Sequence, residues 1–146
     1  MGVRELRVSY VSRDGPADDV AGRHIKAPQD AAQLLMPLLR TEAVEVFGLL
    51  CLSTKQHVLC YHELGRGTLG SVTVAPRDVF KAALLANAAS VVVAHNHPSG
   101  DPTPSPDDLS LTTRLVSAAV VMGIDVVDHI VIGDGRYWSF KEAGIL

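Results

Sequence analysis

The sequence predicts a mixed α/β fold, a sheet with strands in both directions flanked by helices, and three observations carry that expectation. Short β-branched apolar runs alternate with segments whose apolar residues recur at helical spacing. Stretches rich in proline, glycine and serine separate them. With 47% hydrophobic and 20% charged residues among 146, the chain can bury one sizeable core and does not have the composition of a disordered segment.

Residues 1–27 read as an N-terminal extension, with one strand-like run from Leu6 to Val11 before the turn-rich Ser12-Arg13-Asp14-Gly15-Pro16. Residues 28–40 are helical by the spacing of Ala31, Leu34, Leu35 and Leu38, and Pro37 is expected to kink or shorten that helix. Val44 to Leu52 and His57 to Glu63 are strand-like, and the polar connection Ser53-Thr54-Lys55-Gln56 makes them an antiparallel pair. A short strand is expected at Ser71 to Ala75. Pro76-Arg77-Asp78 then opens a helix with Val79, Ala82, Ala83 and Leu84 on its apolar side, ending near Asn87.

Ser90-Val91-Val92-Val93-Ala94 reads as a buried strand, and Pro98 to Pro104, with three prolines and a glycine, must be a loop over its end. Ser105-Pro106-Asp107-Asp108 has the signature of a helix start, with Ser105 at the N-cap and Pro106 at the first helical position. That helix runs to about Met122, where Gly123 supplies the stop. Val126 to Ile132 and Tyr137 to Phe140 form a last strand pair across Gly133-Asp134-Gly135-Arg136. There is no internal repeat.

The chemistry concentrates around residues 95–108. His95 and His97, two apart at a strand end, point to the same side, and Asp108 in the first helical turn can swing back toward them. Two imidazoles and a carboxylate suit zinc, and three protein ligands leave a fourth tetrahedral position open. Bound zinc brings the pKa of water to about 7, and a nearby base is still wanted to relay protons. Glu45 is the candidate, because a carboxylate in so apolar a run as Val44 to Leu52 is costly unless it serves a purpose.

The pattern His95-x-His97, ten residues, then Asp108, with Ser105 three before it, resembles the JAMM motif of JAB/MPN-type zinc metallopeptidases. Glu45-Val46-Phe47-Gly48-Leu49-Leu50 is similar to the segment that carries their catalytic glutamate. His62-Glu63-Leu64 with Gly67-Thr68-Leu69, Ala94-His95-Asn96-His97-Pro98-Ser99-Gly100 and Asp128-His129-Ile130-Val131-Ile132-Gly133 resemble the RadC branch more narrowly. The resemblance covers roughly residues 28–146, which it marks as one RadC-like JAB/MPN domain. It implies a three-layer α/β/α core of the cytidine deaminase-like type, zinc on His95, His97 and Asp108, Glu45 as general acid/base, and Ser105 as a stabiliser of the oxyanion. Full-length RadC proteins typically carry a helix-hairpin-helix region ahead of this domain, and the residues before 28 are too few for one.

Each motif also has an ordinary reading. Two histidines at strand spacing can be merely hydrogen-bonded, and Ser105 with Asp108 three later is what a helix cap needs. Their conjunction around one proline-rich loop favours the metal. Asp107 competes with Asp108, though about 100° around the helix. Glu42 and Glu63 compete with Glu45. His24, His57 and His62 read as surface or strand residues, and Ser99-Gly100 as a loop turn or part of a cleft. Asp128-His129 is either structural or a hydrogen-bonding partner of a metal ligand.

Net charge is −3 and the basic residues are scattered, so nucleic acid is not the expected main partner, and a peptide or protein substrate is what the resemblance implies. No run approaches the roughly 20 apolar residues of a membrane span, and the N-terminus lacks a signal-peptide core, so a cytoplasmic protein is expected. Cys51 and Cys60 read as thiols in a reducing compartment. The leading expectation is a zinc-dependent metallopeptidase or isopeptidase. The alternative is a DNA repair or recombination accessory module with a structural or vestigial metal. A nucleobase deaminase is disfavoured because Pro-Cys-x-x-Cys is missing.

Overall fold

The computed structural model describes residues 2–11, 20–67 and 74–146. Among these, three helices and five strands follow in the order α1 (Pro28–Leu39), β1 (Val46–Leu52), β2 (Val58–Arg66), α2 (Pro76–Leu85), β3 (Ser90–Asn96), α3 (Pro106–Met122), β4 (Asp125–Ile132) and β5 (Tyr137–Ser139). The strands form one mixed sheet in the order β2-β1-β3-β4-β5. Only β3 and β4 run parallel, and α3 is the crossover that parallel neighbours require.

Period-two alternation divides the core between the two faces of the sheet. Phe47, Leu49, Cys51, Val91 and Val93 pack with Val79, Phe80 and Ala83 of α2 and Leu111 and Leu115 of α3. Val46, Leu50, Leu52, Val92, Ala94, Ile130 and Ile132 pack with Ala31, Ala32, Leu35 and Leu39 of α1. The result is the three-layer α/β/α arrangement that the resemblance implies. It also explains why β1 and β3 read as continuous apolar runs, since every residue of both is buried. Val20 and Ile25 are buried on the α1 side, and His24 forms an isolated bridge with His57.

Several boundaries differ from those expected. Leu6 to Val11 forms no strand; these residues are exposed, with Tyr10 Oη donating to the Ala86 carbonyl at 2.7 Å. The strand expected at Ser71 to Ala75 falls largely outside the described residues; Val74 and Ala75 have no regular structure, and Ala75 is the N-cap of α2. Pro37 does not shorten α1, which continues to Leu39. Pro37 lies near the helix end on an exposed side, where water can replace the single hydrogen bond its ring forbids. Strand β1 starts at Val46 rather than Val44, and β2 extends past Glu63 to Arg66. Cys51 and Cys60 are register partners across β1 and β2, and both are free thiols.

The loop after β3 is fastened to the end of β4. His97 N–H donates to the Ile132 carbonyl at 2.9 Å, and Asp134 N–H to the Gly100 carbonyl at 2.8 Å. Gly133 makes this docking possible: a β-carbon there would run into the Gly100 carbonyl and the Pro102 ring. Because the obstacle includes backbone, relief requires the loop to move. Gly133→Ala is expected to cost about 1–3 kcal/mol by overpacking, read as a lower urea midpoint at unchanged m-value.

Candidate metal centre

The parity of β3 decides which side chains meet. His95 and His97 lie on the α3 side of the sheet, where α3 begins with Asp108 facing the strand end. Ser105 caps α3: its Oγ accepts from Asp108 N–H at 3.1 Å, while Asp108 Oδ2 accepts from Ser105 N–H at 2.8 Å. That reciprocal cap fixes the carboxylate. Asp107, one position away, is exposed, which removes it as a competitor.

The converging atoms form a tight group. His95 Nε2 lies 3.1 Å from His97 Nε2 and 3.2 Å from Asp108 Oδ1, and His97 Nε2 lies 3.2 Å from Asp108 Oδ2. Glu45 Oε1 stands further off, at 3.8 Å from His95 Nε2. Ligand atoms of Glu45, His95, His97 and Asp108 all fall within 4.8 Å of one another. His97 Nδ1 is 2.8 Å from the Asp101 carbonyl, which can only accept, so Nδ1 carries the proton and Nε2 presents a bare lone pair. Edges near 3.1–3.2 Å approach the roughly 3.3 Å of a tetrahedron with zinc–nitrogen and zinc–oxygen bonds of about 2.0–2.1 Å. The donor set fits a small divalent cation with nitrogen and oxygen preference.

Electrostatics reinforce the geometry. Burial alone would raise the Asp108 carboxyl, but its close side-chain contacts with the His95 and His97 rings, the charge of His95 and the Ser105 N–H hold it well below the usual carboxylate range. Hydrogen bonding to Asp108 raises His97 against the opposing effect of burial. Glu45 is shifted up by burial, which outweighs the lowering effect of His95, and the Asp108 charge adds to the rise. Glu42 and Glu63 are both paired with Arg66, at 2.7 and 2.6 Å, which accounts for them without the centre.

Two contributors were not singled out in the sequence. Asn96, between the histidines but on the opposite face, accepts from Val46 N–H through Oδ1 at 2.7 Å and donates through Nδ2 to the Val44 carbonyl at 2.9 Å. It thus brackets Glu45, whose own carbonyl accepts from Gly67 N–H at 2.8 Å. This pairing explains why β1 starts one residue after Glu45: a side chain takes the backbone groups that a strand neighbour would. Thr112, one turn beyond Asp108, is buried with Oγ1 at 2.6 Å from His129 Nδ1, and His129 Nε2 is 2.8 Å from His95 Nδ1. His129 is fully buried, and that burial lowers its pKa well below the ordinary value. Asp128 has no part in this, since its carboxylate accepts from Ser139 Oγ and from the His129 and Lys141 N–H groups. Ser99 and Gly100 form a turn, with Gly100 N–H donating to the His97 carbonyl at 2.9 Å.

Asn96→Ala leaves a buried donor and acceptor without partners, a loss of about 1–3 kcal/mol. Chemical denaturation should show that loss, and amide exchange at Val46 should quicken because the Asn96 oxygen that accepts its N–H is removed.

Comparison with known proteins agrees with this geometry. Residues 25–145 match the model of the RadC-like JAB domain. A UPF0758 protein of Desulfitobacterium hafniense is 45% identical over 134 residues, covering 92% of this chain and 59% of the relative. One from Methanosarcina barkeri is 44% identical over 124 residues, covering 85% and 54% respectively. A third, from Desulforamulus reducens, is 48% identical over 122 residues, covering 84% and 54%. The chain therefore spans between half and three-fifths of the length of these relatives. With residues 25–145 matched by one domain model, and a mixed sheet that carries the Glu, His, His and Asp group at a strand end, the chain belongs to the RadC-like JAB domain family.

Proposed function

We propose that this chain is a zinc-dependent hydrolase, a metallopeptidase cutting an amide or isopeptide bond of a peptide or protein. The observation that carries this reading is the asymmetry of the donor group. His95, His97 and Asp108 are mutually within 3.1–3.2 Å, whereas Glu45 stands off at 3.8 Å. Three close donors hold an ion and leave one position open, and a fourth carboxylate beside that position is placed as a base.

His95, His97 and Asp108 would hold zinc, which supplies Lewis acidity and acidifies water at the open position. Glu45 takes a proton from the attacking water and returns it to the leaving amine; its burial favours a carboxyl able to do both. Asn96 keeps Glu45 in reach by holding the residues on either side of it. Ser105 acts through its hydroxyl proton. Its oxygen accepts in the α3 cap, so the O–H remains able to donate to an oxyanion on the substrate carbonyl.

Glu45→Gln should abolish peptide hydrolysis while zinc stays bound at about one ion per chain. His97→Ala should lose both, measured by mass spectrometric metal content beside a peptidase assay. Retained activity in Glu45→Gln would remove Glu45 as the base, and a wild type that takes up no zinc would favour a binding module instead. Chelation of the wild type should lower its thermal midpoint, because an ion that binds only the folded state stabilises it by mass action. The same treatment should leave the midpoint of His97→Ala unchanged.

A further inference from the structure

His97 and His95 reach the centre in the same way, through Nε2, but their other ring nitrogens meet different partners. For His97 the partner is a carbonyl, which settles the tautomer directly. For His95 the partner is another imidazole, whose own proton position must be found first.

That position follows from Thr112. Its hydroxyl lies 2.8 Å from the Asp108 carbonyl and 2.6 Å from His129 Nδ1. A hydroxyl has one proton, and a carbonyl can only accept. With the proton given to the carbonyl, the hydroxyl accepts from His129, so His129 carries its proton on Nδ1 and is bare at Nε2. His95 Nδ1, 2.8 Å from that lone pair, must then be the donor, which leaves His95 Nε2 bare toward His97 and Asp108. The reverse order would put two oxygen lone pairs face to face at 2.8 Å between Thr112 and Asp108, whereas the lone pairs that the chosen order turns toward one another, on His95, His97 and Asp108, are those a cation between them would take. It would also place a proton on His95 Nε2, where an ion has to bind. Stacking steadies each ring in its own orientation: Phe47 lies against His95 at 4.5 Å and Phe140 against His129 at 4.7 Å between centroids, and the two imidazoles meet at 57°.

Building on the zinc reading above, we propose that His129 is a positioning residue that, oriented by Thr112, fixes His95 as the Nδ1–H tautomer and so presents its Nε2 lone pair to the metal. The relay begins on the backbone carbonyl of Asp108 and ends at the His95 Nε2 lone pair, 3.2 Å from the carboxylate of the same residue. One helical turn thus supplies a ligand and sets the proton that readies another.

Thr112→Val is the informative change, because it keeps the shape and removes the hydroxyl. His129 Nδ1 then faces carbon, where an unmet lone pair costs less than an unmet N–H, so the relay should reverse. The experiment is a two-bond proton–nitrogen correlation spectrum of the 15N-histidine-labelled, chelator-stripped full chain, paired with zinc affinity by chelator competition. The wild type and Thr112→Ser should show His95 as Nδ1–H. Thr112→Val should show it as Nε2–H and bind zinc about 10–100-fold more weakly, with Thr112→Ser close to wild type. An Nε2–H His95 in the wild type, or a Thr112→Val chain that keeps either the tautomer or the zinc affinity, overturns the assignment. Neither readout involves hydrolysis. A chain that behaves as described yet cuts nothing refutes only the peptidase reading, and an active hydrolase with the wrong tautomer refutes only the relay.

Discussion

The Asp108 carboxylate is the junction on which this structure turns. It closes the α3 cap through Ser105, meets both histidines at the end of β3, and remains ionised despite being buried. An anion at a helix N-terminus is favoured by the unpaired N–H groups and the helix dipole, and the same anion completes a donor set for a cation. The cap and the centre are therefore two uses of one side chain, which dissolves the competition between them that the sequence suggested.

The sheet provides the other half. Parallel pairing of β3 and β4 places their carboxyl ends side by side, so the loops that follow both strands lie over the same spot. The α3 face receives His95, His97 and His129, while the opposite face receives Asn96 and, through it, the backbone around Glu45. Consecutive residues of a single strand thus serve two layers: one supplies donors and the next secures the segment that carries the base.

What was legible in the sequence was what depends on neighbours along the chain. His95 and His97 share a face because strands alternate, and Ser105, Pro106 and Asp108 announce a helix start because caps are local. The strand after residue 90, the helix to Met122 and the stop at Gly123 follow from the same rules. The misplaced start of β1 has a different origin, since it depends on an asparagine 50 positions away whose side chain takes the place of a strand partner. For Asp128-His129 the sequence left a structural and a ligand-supporting reading open, and only the contact with His95 decides between them for His129. Thr112 was hidden, because a threonine within a helix carries no pattern that reports its meeting an imidazole 17 residues away. Leu6 to Val11 had the composition of a strand but pairs with none in the sheet, and composition is silent on partners.

The proline-rich loop between His97 and α3 has a thermodynamic meaning beyond its shape. Pro98, Pro102, Pro104 and Pro106 restrict the chain before it folds as well as after, so bringing His97 and Asp108 together removes less disorder than it would for a loop of ordinary residues. Fastened at Gly100 and Gly133, the loop arrives nearly rigid. An ion entering the centre would then meet donors already in place. Its binding free energy would appear as affinity rather than being consumed in ordering the protein around it.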